Sequence, residues 1–195
     1  MHFIQQMNAD TLYFVQANLQ FSWLNPIMKF FTDIGKEGLI WILIGIVMLI
    51  FKKTRRGGFM VFFASFINLI VVEIIKHIVK EPRPWQTLPN LHMIITPPTS
   101  YSFPSGHTAA SFAAAFAIAY FARKWGLWAF ILAALISISR IYLLAHYPTD
   151  VIAGAIVGTI CFYIALIIYR AGLYKIVDPI LRIPPRTKKN GYYSY

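Results

Sequence analysis

Eleven ionisable residues lie within or at the edge of strongly apolar runs: Glu73, Lys76, His77, Lys80, Glu81, Arg83, His92, His107, Arg140, His146 and Asp150. A charge in such a place is costly, so each is a candidate for function. Lys76, Arg83 and Arg140 offer three fixed positive charges, two of them with the planar fork that pairs two oxygens at once, which suits a phosphate group. Pro104-Ser105-Gly106-His107 reads as a helix start. Proline fits a first turn, glycine permits close approach, and the free backbone N–H groups there bind anions. His107 and His146 add groups that transfer protons or attack phosphorus near neutral pH. Asp150 follows His146 by four residues. A carboxylate accepting from one imidazole nitrogen fixes the tautomer and leaves the other nitrogen free. Spacing does not say which histidine attacks. Two histidines and an aspartate could also ligate zinc, but three surrounding cations repel a metal and can themselves neutralise developing charge.

These residues need elements to bring them together. The chain has 195 residues, 58% hydrophobic and 13% charged, with a formal charge of +11 and one cysteine, Cys161. Disordered chains lack that much apolar surface, and soluble domains carry roughly 25% charged residues. With a mean hydropathy of +0.60, the composition points to a membrane protein. No disulfide or cysteine metal site is available, and the first ten residues show no cleavable signal peptide. Five runs approach the roughly 20 apolar residues that cross a bilayer: Gly35 to Phe51, Gly57 to Val79, Pro104 to Ala122, Trp125 to Ala145 and Val151 to Tyr169. Pro148 argues for a turn at Tyr147-Pro148-Thr149. Gly154-x-x-x-Gly158 and the alanines of the third run favour close helix packing within the bundle.

The expected fold is all-α, a polytopic integral membrane helix bundle of five spans. A sixth is possible only if residues 1–34 contain one. Those residues, interrupted by Gln5, Gln6, Asn8, Asp10, Gln16, Asn18 and Gln20, read instead as an interfacial amphipathic segment broken near Asn25-Pro26. Residues 35–170 form the transmembrane domain and 171–195 a cytoplasmic tail, with a short interfacial stretch around Leu173 to Leu181. With five spans, twelve of the eighteen basic residues fall on one side: Lys52, Lys53, Arg55, Arg56, Arg123, Lys124, Arg170, Lys175, Arg182, Arg186, Lys188 and Lys189. The positive-inside rule makes that side cytoplasmic. It also accounts for a pI near 9.9 without nucleic acid, which would need its cations on one soluble face. The candidate residues then come from four helix ends on the opposite, extracytoplasmic face.

Three segments, KHIVKEPRP (76–84), PSGH (104–107) and SRIYLLAHYPTD (139–150), resemble in order and spacing the three-part signature of the type 2 phosphatidic acid phosphatase superfamily. They are Lys-x6-Arg-Pro, Pro-Ser-Gly-His and Ser-Arg-x5-His-x3-Asp. The short multi-span chain is similar to the bacterial integral-membrane lipid phosphatases of that family, the undecaprenyl-diphosphate phosphatases and phosphatidylglycerophosphatase B type. The resemblance implies that His146 is a nucleophile that becomes phosphohistidine, oriented by Asp150. His107 would protonate the leaving oxygen and then activate water. Lys76, Arg83, Ser105, the Gly106 N–H and Arg140 would hold the phosphoryl oxygens, with no metal or other cofactor.

The expected partners are therefore the bilayer and a lipid phosphate, in a bacterial cytoplasmic membrane. Undecaprenyl diphosphate suits an outward-facing site best. Phosphatidylglycerol phosphate, phosphatidate and lipid A phosphate are the alternatives, and a lipid-phosphate binding or transport protein is the non-enzymatic one. Glu73 reads as a local partner of Lys76 or His77, His77 as an interface or packing residue, and His92 as a loop residue. Lys80 either meets a second phosphate or snorkels. The proline-rich loop 81–103 forms a lid or rim, with Trp85, Tyr101 and Phe103 as interfacial anchors.

Overall fold

Apolar runs this long must pair their backbone groups internally, and in lipid the helix does so within one segment. In the computed structural model, which describes residues 2–183, 187–189 and 192–194, the order is α1 (His2–Asn18), α2 (Asn25–Gly35), α3 (Leu39–Ile50), α4 (Arg55–Val79), α5 (Pro84–Thr87), α6 (Gly106–Phe121), α7 (Arg123–Tyr142), α8 (Pro148–Ile168) and α9 (Tyr174–Ile180). A short antiparallel ribbon, Thr187–Lys189 with Tyr192–Ser194, follows. Stretches built on α4, α7 and α8 are long and apolar enough to cross a membrane.

Helix α6 is the post of the bundle, packed by α4, α7 and α8. Small side chains make this possible: Ala109, Ala113, Ala114 and Ala117 are fully buried. The glycine pair of α8 faces them. A Cβ on Gly154 would sit 2.7 Å from the Ser105 carbonyl, and one on Gly158 would fall on the Ala109 carbonyl. The pair therefore serves packing within the bundle, and it sets α8 close enough to α6 for their ends to share a site.

The boundaries differ from expectation for local reasons. The first expected span is broken by a single 3-10 turn, Lys36–Gly38, in which Glu37 and Gly38 take φ of 53° and 73°. That left-handed pair cannot continue a helix, so α3 proper has 12 residues, about 18 Å. Helix α6 starts at Gly106 with Ser105 as its cap, leaving Pro104 outside. Helix α7 stops at Tyr142, and Leu144 is left-handed at φ 58°. Pro148 opens α8 in its first turn, so the turn ends at Tyr147. Pro26 likewise lies in the first turn of α2, and the break expected near Asn25-Pro26 falls just before it, between the end of α1 at Asn18 and the start of α2 at Asn25.

Two terminal additions tie onto the bundle. Polar groups of α1 reach the turn after α5 and the residues beyond it: Tyr13 Oη donates to the Pro89 carbonyl (2.8 Å), Gln16 Nε2 to the Asn90 carbonyl (3.0 Å), and His92 N–H to Gln16 Oε1 (2.7 Å). Asn8 Nδ2 donates to Thr149 Oγ1 at the start of α8 (2.8 Å), while Phe3, Met7 and Phe14 stay exposed. At the other end Arg56, buried, pairs with Asp178 of α9 (2.9 Å) and donates through Nε to Tyr169 Oη (3.0 Å). One of the twelve cations read as orienting charge is thus also a tether for α9.

Candidate active site

The C-terminal ends of α4 and α7, the N-terminal ends of α6 and α8, and the loop after α4 meet at one end of the bundle. Lys76, Arg83, Ser105, Arg140, His146 and Asp150 are all buried there. Helix geometry explains the placement: Lys76 lies one turn before the end of α4, Arg140 near the end of α7, and Ser105 and Asp150 at the openings of α6 and α8. Ser105 N–H donates to the Asp150 carbonyl (3.1 Å), locking the two openings together.

His146 lies between α7 and α8, 1% exposed. Its Nδ1 is 3.1 Å from Asp150 Oδ2, which also accepts from Ser102 Oγ (2.5 Å) and the Tyr147 N–H (3.0 Å). A carboxylate at Nδ1 assigns the proton to that nitrogen and leaves Nε2 unprotonated. Nε2 accepts from Arg83 Nη1 at 3.3 Å. Burial, reinforced by the charges of Arg140, Arg83 and Lys76, holds the imidazole well below the usual histidine range. It is neutral at neutral pH, with its one lone pair at Nε2.

The three cations are oriented by neutral acceptors. Arg83 donates from Nε to the Ser100 carbonyl (2.6 Å), from Nη1 to the Ala145 carbonyl (2.8 Å) and from Nη2 to Ser100 Oγ (3.0 Å). Lys76 Nζ donates to the same Ser100 hydroxyl (3.2 Å). Arg140 Nη1 donates to Thr32 Oγ1 (2.6 Å), and its buried Nε has no partner. Among the described residues, none of the three has a carboxylate oxygen within 4.0 Å. Three buried cations with no carboxylate in contact, around an unprotonated imidazole nitrogen, suit a multiply charged anion that the nitrogen can attack.

His107 is half-buried on the first turn of α6, facing Gly35 and the Thr32 backbone, within electrostatic reach of Arg140 and His146. A Cβ on Gly106 would meet only Val72, at 3.8 Å. Protein packing therefore does not demand glycine there.

Other candidates lie outside the cluster. His77 is exposed and pairs with Glu73 (3.4 Å). Lys80 is exposed in a left-handed conformation that ends α4. His92 is exposed in the loop, its N–H bound to Gln16 as described. Three contributors were not foreseen: Ser100, Ser102 and Thr32. The two serines lie two and four residues before Pro104 of Pro-Ser-Gly-His, in the loop expected to form a lid or rim, and that nearness is the available signal. Thr32 lies 108 residues from Arg140, and nothing in its local sequence marks it.

The PAP2 superfamily model matches residues 57–173. The chain is 32% identical over 177 residues, 90% of its length and 84% of the relative's, to an undecaprenyl-diphosphatase of Sulfolobus acidocaldarius. It is 32% identical over 160 residues, covering 80% and 77% of the two chains, to the bacitracin transport permease protein BcrC of Bacillus licheniformis. Among solved structures it resembles the transmembrane PAP2 type phosphatidylglycerolphosphate phosphatase of Bacillus subtilis. There the TM-score is 0.70 and the identity 22%, covering 91% of this chain and 89% of that one.

Proposed function

The chain belongs to the PAP2 superfamily and is similar to members of it that act on lipid phosphates, and we propose that it hydrolyses undecaprenyl diphosphate to undecaprenyl phosphate without a metal, through a phosphohistidine at His146. The observation that carries the reading is the set of three buried cations, none of which has a carboxylate within salt-bridge distance among the described residues. A diphosphate supplies negative charge at contact distance. The room in front of Gly106 supports the same reading, since a phosphoryl oxygen could approach the opening of α6 there.

In this mechanism Lys76, Arg83, Arg140, Ser105 and the Gly106 N–H hold the terminal phosphoryl group against His146. Nε2 attacks phosphorus, the bond to the bridging oxygen breaks, and His107 protonates the departing lipid phosphate. His107 then takes a proton from water as that water attacks the phosphohistidine, releasing inorganic phosphate. Asp150 holds Nδ1–H throughout and stabilises the charge that develops on the ring. The cations compensate the equatorial oxygens as the transition state forms.

Five crossings follow if α3, entered through the turn Lys36–Gly38, counts as a span beside α4, α6, α7 and α8. The basic turns then lie inside, the C-terminal tail is cytoplasmic, and the site faces outward. Residues 1–34 lie at the interface over the site, which their exposed aromatic residues support. Such a site meets a headgroup at membrane depth while the chain stays in lipid.

The test is phosphate release by purified protein in detergent with excess EDTA, across undecaprenyl diphosphate, phosphatidylglycerol phosphate, phosphatidate and lipid A. The expected order places undecaprenyl diphosphate first by kcat/KM, with inhibition by orthovanadate. A clear preference for another lipid overturns the substrate. Tight lipid-phosphate binding with no release overturns the enzyme in favour of a carrier.

A further inference from the structure

Arg140 has no covalent or ionic constraint on its own helix that would aim its guanidinium. The group that aims it comes from the opposite end of the sequence, outside the segment 57–173 that carries the family match. Thr32, 5% exposed, lies on α2, which packs along the end of α7.

Its hydroxyl makes two contacts: Arg140 Nη1 at 2.6 Å and Ser139 Oγ at 3.1 Å. Ser139 Oγ is also 2.6 Å from the Ile136 carbonyl. The Ser139 hydroxyl is the donor in both of its contacts, to the Ile136 carbonyl and to Thr32 Oγ1. Thr32 Oγ1 therefore accepts from Arg140 and from Ser139 with its two lone pairs, and Ser139, tied to the α7 backbone, fixes where that acceptor sits. The next residue, Asp33, is exposed and makes no ion pair with Arg140. A carboxylate in Thr32's place would cancel the charge an anion needs, whereas a hydroxyl orients the guanidinium and leaves its charge whole. With Nη1 anchored, no hydrogen bond engages the Nε–Nη2 edge, of which Nε is buried, and that edge is left for a ligand oxygen. On the same turn of chain, the Thr32 backbone and Gly35 face the His107 ring.

We propose that Thr32 is a positioning residue: it holds the guanidinium of Arg140 in the orientation that presents its Nε–Nη2 edge to a phosphoryl oxygen, so that α2 completes the site. This rests on the reading of Arg140 as a phosphoryl-binding residue. Losing a hydrogen bond to a charged group corresponds to a drop of about 10- to 100-fold. Thr32→Val, which keeps the shape and removes the hydroxyl, is expected to lower kcat/KM for the lipid phosphate by that factor, and to weaken orthovanadate inhibition similarly. Thr32→Ser should recover to within about threefold, and in an Arg140→Ala background Thr32→Val should add less than about twofold. A role confined to packing would show the opposite pattern, with Ser no better than Val and losses that multiply. Either result, or a Thr32→Val protein equal to the native one, overturns the proposal. Should Thr32→Val not fold, Thr32→Ala takes its place in the same cycle. Thermal stabilisation of each variant by orthovanadate is measured alongside, because it reads anion binding without turnover. Loss of all lipid phosphate release with the vanadate pattern intact would sink the functional reading and leave the Thr32 assignment standing.

Discussion

At the scale of single residues, the site is a neutral imidazole held among cations that are oriented by neutral acceptors. His146 is kept unprotonated by burial and by the charges of Arg140, Arg83 and Lys76. The sign of a pH effect follows. Removing one cation raises the imidazole toward its ordinary value near 6.5. Lys76→Met should therefore move the acid limb of kcat/KM to higher pH as well as lower its plateau. A pH–rate profile that falls uniformly, with its acid limb in place, would contradict this. The side chains with a charge or a ring were legible in the sequence because their cost in apolar surroundings marks them: Lys76, Arg83, His107, Arg140, His146 and Asp150. Ser100, Ser102 and Thr32 were not, because a hydroxyl costs little anywhere and its importance appears only with its partner. Ser102, fully buried and 2.5 Å from Asp150 Oδ2, is the clearest example.

At the scale of elements, small residues decide how near the catalytic ends can come. Gly158 lies directly over the Ala109 backbone, so even Gly158→Ala forces α8 away from α6. Overpacking of this kind typically costs about 1–3 kcal/mol. The variant should melt earlier and lose activity together, as measured by thermal unfolding in detergent beside phosphate release. Unchanged melting would show that α6 and α8 are farther apart than described. Hydropathy located the helices but not their ends. It ran the first span through Lys36–Gly38, where two left-handed residues break it, and it counted Pro148 as turn where proline opens α8. Hydropathy averages over windows, whereas a helix end is set by one or two backbone conformations. The interruptions in α1 misled in the same way. Gln16 and Asn8 read as polarity at a surface, and they are links to the loop and to α8.

At the scale of the molecule, the excess of positive charge divides among jobs. Lys52, Lys53, Arg55, Arg123 and Lys124 gather where α3 leads into α4 and α6 into α7, opposite the site, Arg56 ties α9 to the bundle, and Lys76, Arg83 and Arg140 form the proposed anion receptor. The proposed orientation predicts that Thr96→Cys, exposed in the loop near the site, reacts with a membrane-impermeant maleimide in intact cells. Cys161, buried, should stay silent. Labelling only after permeabilisation would turn the protein over. The most direct measurement of the central claim is covalent. Undecaprenyl diphosphate labelled in its terminal phosphate is mixed with the protein in excess EDTA and quenched during turnover. Acid-labile, alkali-stable label is expected on the native protein and absent from His146→Ala. Phosphate release with no protein-bound label, or label that persists in His146→Ala, would contradict the account.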